Sequence, residues 1–266
     1  KSSRDKLKDI IRFHPVTQIV ERSYKTLQVK NNQKNDFPPL SLTQIIYCIN
    51  EHGGNKEWEV PAVKITTKDS DPNKIVLIIS DKGREATNPE IKKYLSSGNT
   101  VITLDILLTG EQMPQFSPLN RRWVGAMLLA TVGERALGIQ VSQLDAIAGL
   151  NKGKSVTLVG KGMSCSTIAL LTASLKHSHN IETVELIELP VSLKLLIENQ
   201  IIYWKCPELY CFGLLRYFDI REYIGMVFPT NVHISDVMGS KERVEKELKH
   251  LKKFSQKWNN VELILP

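Results

Sequence analysis

No run in the chain approaches the roughly 18 consecutive apolar residues of a membrane-crossing helix, so no membrane span is expected. There are four cysteines, Cys48, Cys165, Cys206 and Cys211. They form no CxxC pair and no Cys/His grouping with zinc spacing, which removes the common zinc and dithiol classes. Cys206 and Cys211 could close a bridge in an oxidising compartment, and two free thiols fit the spacing equally well. Nucleotide loops are also missing. Gly160-Lys161-Gly162 lacks the G-x-x-x-x-G-K-[ST] pattern, and Cys165 stands where a G-x-G-x-x-G motif needs glycine. No metal or cofactor is therefore expected. The chain opens Lys1-Ser2-Ser3-Arg4, without Met or an apolar signal core. This suggests a trimmed or mature chain, or part of a longer protein, and the compartment is not readable from it. Finally, no block of one charge sign occurs. The formal charge is +7, but the densest basic stretch, Lys241–Lys257, interleaves glutamate at helical spacing. That is a solvated helix face rather than a phosphate-binding stripe, and no nucleic-acid partner is expected.

What is present is an α/β pattern. At 266 residues the chain can fill one large domain with a substantial core. Residues 1–40 are basic and polar and read as an irregular lead-in or linker, with one short helix possible over Asp5–Phe13. Residues 41–266 read as the folded domain. Strands are expected at Thr43–Asn50, Trp58–Thr67, Lys74–Ser80, Thr100–Leu107, Ser155–Val159, Val184–Leu189, Asn231–Val237 and Val261–Leu265. The runs Lys74–Ser80 and Thr100–Leu107 are continuously apolar, as in strands covered on both faces. Helical patterns fall at Pro89–Ser96, Trp123–Leu150 with a break near Gly133 or Gly138, Ile168–Leu171, Val191–Gln200 and Lys241–Trp258. Tyr203–Tyr223 is aromatic and irregular. Turn clusters fall at Asn31–Asp36, His52–Lys56 and Asp69–Asn73. Strands alternating with helices predict a mostly parallel sheet of about eight strands with helices on both faces.

The stretch Ser155–Thr172 organises this pattern. A β-branched run ends at Gly160, a turn of small residues follows, and an apolar helical run begins. Strand, sharp turn and helix are the setting of a nucleophile elbow, G-x-S-x-G. Here the five positions are Gly160-Lys161-Gly162-Met163-Ser164, so glycine holds the place of the nucleophile.

An ordered set of segments resembles the α/β-hydrolase superfamily, in particular its bacterial acetyl xylan esterase-like branch. The set comprises Val60–Val63, Ile75–Gly83, Leu104–Glu111, Leu137–Ile147, Thr157–Ser164 and Gly213–Phe228, and it extends over residues 40–265. The resemblance implies an eight-stranded α/β-hydrolase fold and hydrolysis of acyl esters on carbohydrates. It also implies a bacterial, extracytoplasmic setting. Two triad positions depart from it. The nucleophile maps to Gly162, and no histidine follows the last strand; His250 lies before it. The acid maps near Asp236. Oxyanion donors map to Lys82 or Gly83 and to Met163.

A triad acts as a unit, so two empty positions argue against the ordinary mechanism. The expectation is a degenerate, non-catalytic accessory or ligand-binding domain. Its partners would be a carbohydrate or acylated sugar, or an upstream esterase domain of the same protein. The alternative is an active ester hydrolase with a displaced nucleophile, Ser164, working with Asp236. Ser164 equally suits capping in a first helical turn, Cys165 a buried small hydrophobe, and His233 an in-strand structural residue. Asp105 and Glu111, at a strand end, could line a pocket. The aromatics Tyr203, Trp204, Tyr210, Phe212, Tyr217, Phe218 and Tyr223 could stack on sugars or pack over the sheet.

Overall fold

The computed structural model describes residues 2–29, 39–51, 57–114, 121–175, 177, 181–247, 249 and 261–263. Its strands are β1 (Val16–Val29), β2 (Leu40–Glu51), β3 (Glu57–Thr66), β4 (Asp71–Ser80), β5 (Asn99–Leu104), β6 (Ser155–Lys161), β7 (Ile181–Ile187), β8 (Asn231–Ser235) and β9 (Val261–Leu263). They form one sheet in the order β1-β2-β3-β5-β4-β6-β7-β8-β9. The first three neighbouring pairs, through β3 and β5, are antiparallel, and all later pairs are parallel. The expected sheet of about eight strands is present, with β1 added at its edge.

The helices are α1 (Ser3–Ile11), α2 (Asn88–Ser96), α3 (Arg122–Thr131), α4 (Ala136–Leu150), α5 (Met163–Leu175), α6 (Leu195–Glu198), α7 (Leu214–Tyr217) and α8 (Ile220–Val227). Alternate residues of β4 divide between two apolar clusters, as a strand's period of two requires. Ile75, Leu77 and Ile79 join α1, α4, α5 and α8 on one face, while Val76 and Ile78 meet Leu95 of α2 on the other. Helix α4 is buried from Ala136 to Ala148 on all sides, and its polar members bond inward, Gln140 and Gln143 to Leu107 and Asp145 to His177. The helical pattern 123–150 breaks at residues 132–135, around Gly133. Among the described residues no single helix is long and apolar enough to cross a membrane.

The reading of residues 1–40 as irregular is corrected. Helix α1 buries Leu7 and Ile11 completely. It is tied down by Arg4, whose Nε donates to the Ser174 carbonyl (2.8 Å) and whose Nη2 donates to the Met226 carbonyl (2.7 Å). Strand β1 pairs with β2 along its length. Its side chains are almost all exposed on both faces, so they leave no alternating apolar signal. The stretch Tyr203–Tyr223 is also more regular than expected. It holds α7 and the start of α8, whose capping box joins Asp219 and Glu222. Residues 241–247 and 249 are helical, as expected; the remaining residues of the expected helix Lys241–Trp258, His250 among them, and the turns at Asn31–Asp36 and His52–Lys56 lie outside the described residues. All four cysteines are free and buried.

Because Ile11 is fully buried, Ile11→Ala should cost about 2–5 kcal/mol of stability in denaturant unfolding. A loss well below 1 kcal/mol would mean that α1 is not part of the folded unit.

Candidate functional site

Strands β4 and β6 are parallel neighbours, with Ser80 level with Lys161. The chain therefore leaves both strands at the same height. The N–H of Asp81 donates to the carbonyl of Lys161 (3.0 Å). Strand β6 runs two residues beyond the expected Ser155–Val159 and includes Lys161, whose Nζ is held by Glu90 (2.8 Å) on α2. The turn comes at Gly162 (φ +97°), and α5 starts at Met163. The elbow is thus centred on Gly162, without a shift towards Ser164.

The place of a side chain at position 162 is already filled. A Cβ on Gly162 would lie 2.5 Å from Cγ and 2.6 Å from Oδ2 of Asp81. The Asp81 carboxylate accepts the N–H of Cys165 at Oδ1 (2.7 Å) and that of Ser164 at Oδ2 (3.1 Å). It satisfies two of the donors that a helix leaves open at its N-terminus and lies at the positive end of the helix dipole. The positive φ adds a second reason for glycine here, since other residues reach that region at a cost of about 1–2 kcal/mol.

Behind the elbow is a buried charge cluster. Arg122, the first residue of α3, donates from Nη2 to Oε1 of Glu208 (2.7 Å), and both residues are more than nine-tenths buried. Ser164 is fully buried; its Oγ has no partner of good geometry among the described residues, and neither has Oε2 of Glu208. The hydroxyl nevertheless lies close enough to pull the Glu208 carboxyl down. Burial outweighs this pull and that of Arg122, and the net shift of Glu208 is upward. Burial pulls Arg122 down, but the charges of Glu208 and Asp81 exceed that effect and raise it. Cys165 is pushed well up, first by burial and then by the charge of Asp81. Cys206 is pushed up to about 12 by burial and Glu208. Neither thiol has the thiolate character of a nucleophile. Arg122 also lines a cleft of about 520 Å³, together with Met113, Arg121, Trp123 and Trp204.

The sequence-derived candidates separate in space. Met163 and Ser164 do sit at the elbow. The N–H of Gly83 donates to the Ser80 carbonyl (3.0 Å), and a Cβ there would meet the Cα of Gly110 at 2.7 Å. The amide of Lys82 faces the Ser80 hydroxyl (3.2 Å). Both amides close the turn after β4, which corrects their reading as free oxyanion donors. Asp236 is exposed with φ +51°, and it makes no hydrogen bond to Ser164. His233 lies mid-strand in β8, in register with Glu185. His14 pairs with Glu134 and His177 with Asp145. Asp105 is buried and satisfied by Arg84 and the Glu111 amide, so it clamps a loop instead of lining a pocket. The aromatics divide: Phe218 and Tyr223 stack in the core, while Trp204, Phe212 and Tyr217 are exposed. Asp81, Arg122 and Glu208 were not singled out from the sequence. The available signal for Asp81 was its position directly after a buried strand, beside an elbow that carries glycine.

Searches of the sequence against family models and curated proteins found no match. Solved structures do match. A proposed acetyl xylan esterase from Bacteroides fragilis aligns over 99% of this chain and 73% of its own, with TM-score 0.71 and 11% identity. A glucuronoyl esterase from Solibacter usitatus aligns over 100% and 87%, with TM-score 0.63 and 11% identity. An acetyl xylan esterase from Paenibacillus sp. R4 aligns over 98% and 85%, with TM-score 0.59 and 13% identity. The fold is the α/β-hydrolase fold, in a form shared with these esterases.

The Arg122–Glu208 pair gives a pH-dependent prediction. Arg122→Met leaves Glu208 buried without its partner, which should cost about 3–5 kcal/mol at neutral pH. The carboxyl is already raised and would rise further, so the folded state binds the extra proton. The loss should therefore shrink as pH falls below the folded-state pKa of Glu208. Urea unfolding at acid and neutral pH checks the sign; an equal loss at both would refute it.

Proposed function

We propose that this α/β-hydrolase-fold chain is a non-catalytic domain that binds a ligand at its strand ends instead of hydrolysing an ester. One observation carries the reading: the Asp81 carboxylate stands where the side chain of an elbow nucleophile would begin, bonded to the first amides of α5. A nucleophilic side chain at position 162 would have to displace it. A carboxylate in that position also repels the negative charge that develops in acyl transfer, the reverse of what a preorganised oxyanion site supplies.

Ser164 does not supply a substitute. It is fully buried in the first turn of α5, and its hydroxyl faces a carboxylate instead of an imidazole. A serine needs a base within hydrogen-bond reach to become a nucleophile. Removing such a base costs orders of magnitude in rate. Asp236 is exposed on a left-handed turn and makes no hydrogen bond to the Ser164 hydroxyl.

The test is esterase activity on p-nitrophenyl acetate and on acetylated xylan. The chain and its Ser164→Ala variant should both show no turnover above buffer. Turnover that Ser164→Ala abolishes would overturn the reading and make Ser164 the nucleophile. Asp81→Ala should lower stability by about 1–2 kcal/mol through loss of the helix cap, without creating activity.

A further inference from the structure

We propose that the cleft beside the elbow binds an aromatic carboxylate, its ring on tryptophan and its carboxylate on Arg121. The assignment deepens the binding reading above and rests on it. Among the described residues that line it are two arginines, two tryptophans and Met113. A volume of about 520 Å³ lies within the range of small-molecule sites.

The α3 wall is anchored before any ligand arrives. Arg122 is anchored to Glu208, which ties the first turn of α3 to the segment 207–209. Three residues on, Gly125 lets α3 approach the loop after β5. A Cβ there would lie 2.8 Å from Leu108 Cδ2 and 3.0 Å from Pro114 Cγ. The arginine and tryptophan at the start of α3 are therefore held on a seated helix. Such preorganisation lowers the entropy cost of binding.

The charges define the ligand. Arg122 and Glu208 compensate each other. Arg121 is exposed and makes no ion pair among the described residues, so the cleft carries a net positive charge at its mouth. A guanidinium presents two parallel N–H donors, which match a carboxylate. Trp204, 57% exposed, presents an indole face that no described ring covers. An aromatic ring stacks on such a face, and the nearby guanidinium adds a cation–π attraction. A neutral sugar could use the indole but would leave the charge unmatched.

The experiment is a titration of the whole chain with trans-cinnamate, read by tryptophan fluorescence and calorimetry. Cinnamamide and methyl β-xyloside serve as uncharged controls. Saturable cinnamate binding is expected, weakened about tenfold or more by Arg121→Gln and by replacing the acid with the amide. Trp204→Ala should weaken it about fivefold or more. Absence of saturation up to about 1 mM would overturn the assignment. So would equal binding of the amide or xyloside, or unchanged affinity in Arg121→Gln. Ester turnover with intact cinnamate binding would refute only the non-catalytic reading. No turnover and no cinnamate binding would refute only this one.

Discussion

A carboxylate and a helix N-terminus face each other at the centre of this molecule, and the arrangement around them follows from that contact. Strands β4 and β6 are parallel neighbours that end level with one another, so the residue leaving β4 meets the turn leaving β6. With Asp81 at the first place, the amides of Ser164 and Cys165 gain an anionic acceptor at the positive end of α5. With a side chain at the second place, there would be no room for that carboxylate. Asp81 and Gly162 are thus two halves of one choice. The same turn can present a nucleophile over empty space, or it can accept a cap from the neighbouring strand. This chain has the cap.

The choice reaches into the layer above. A carboxylate beneath the α5 terminus favours a cation near it, and Arg122 is raised by both Asp81 and Glu208. Helix α3 departs in part from the usual amphipathic arrangement. Its arginine points inward, while Met127, Leu128 and the following Val132 stand about half or more exposed. A small apolar contact at Ala126 and Leu129, the close approach at Gly125 and the ion pair together seat this helix. A buried ion pair is weak evidence for net stability, but one that is broken exposes its full desolvation cost. The first turn of α3 is therefore fixed in direction more than it is strongly bound. That directional hold is what the neighbouring cleft needs.

How far this was legible in the sequence depends on the range of the interaction. The buried strands β4, β5 and β6 and the break between α3 and α4 are local patterns, and each was found within a few residues. The same holds for the turn at Gly162, because strand, small residues and helix are contiguous. Strand β1 was lost because it shows no alternation, both of its faces being exposed. Helix α1 was found as a helix but not as part of the core, since only Leu7 and Ile11 are fully buried and its other positions are mostly polar. Asp81 meets Ser164 and Arg122 meets Glu208 across more than eighty residues of chain. Neither pair has a local spacing that announces it. Both become visible only once the parallel register of the strands is known.

The aromatic stretch makes the last distinction. Its residues look alike in sequence, yet Phe218 and Tyr223 complete the core while Trp204 faces solvent beside two arginines. Hydrolysis at these strand ends would call for a nucleophile and a base. The groups placed there are a cap, a compensated ion pair, an uncompensated guanidinium and exposed indole. The first two hold the backbone and are satisfied by it. Only the last two have bonding capacity directed outward, and that capacity is for charge and for a flat apolar face. The fold is the α/β-hydrolase fold, and the outward-facing side chains beside its elbow are what the proposed binding reading rests on.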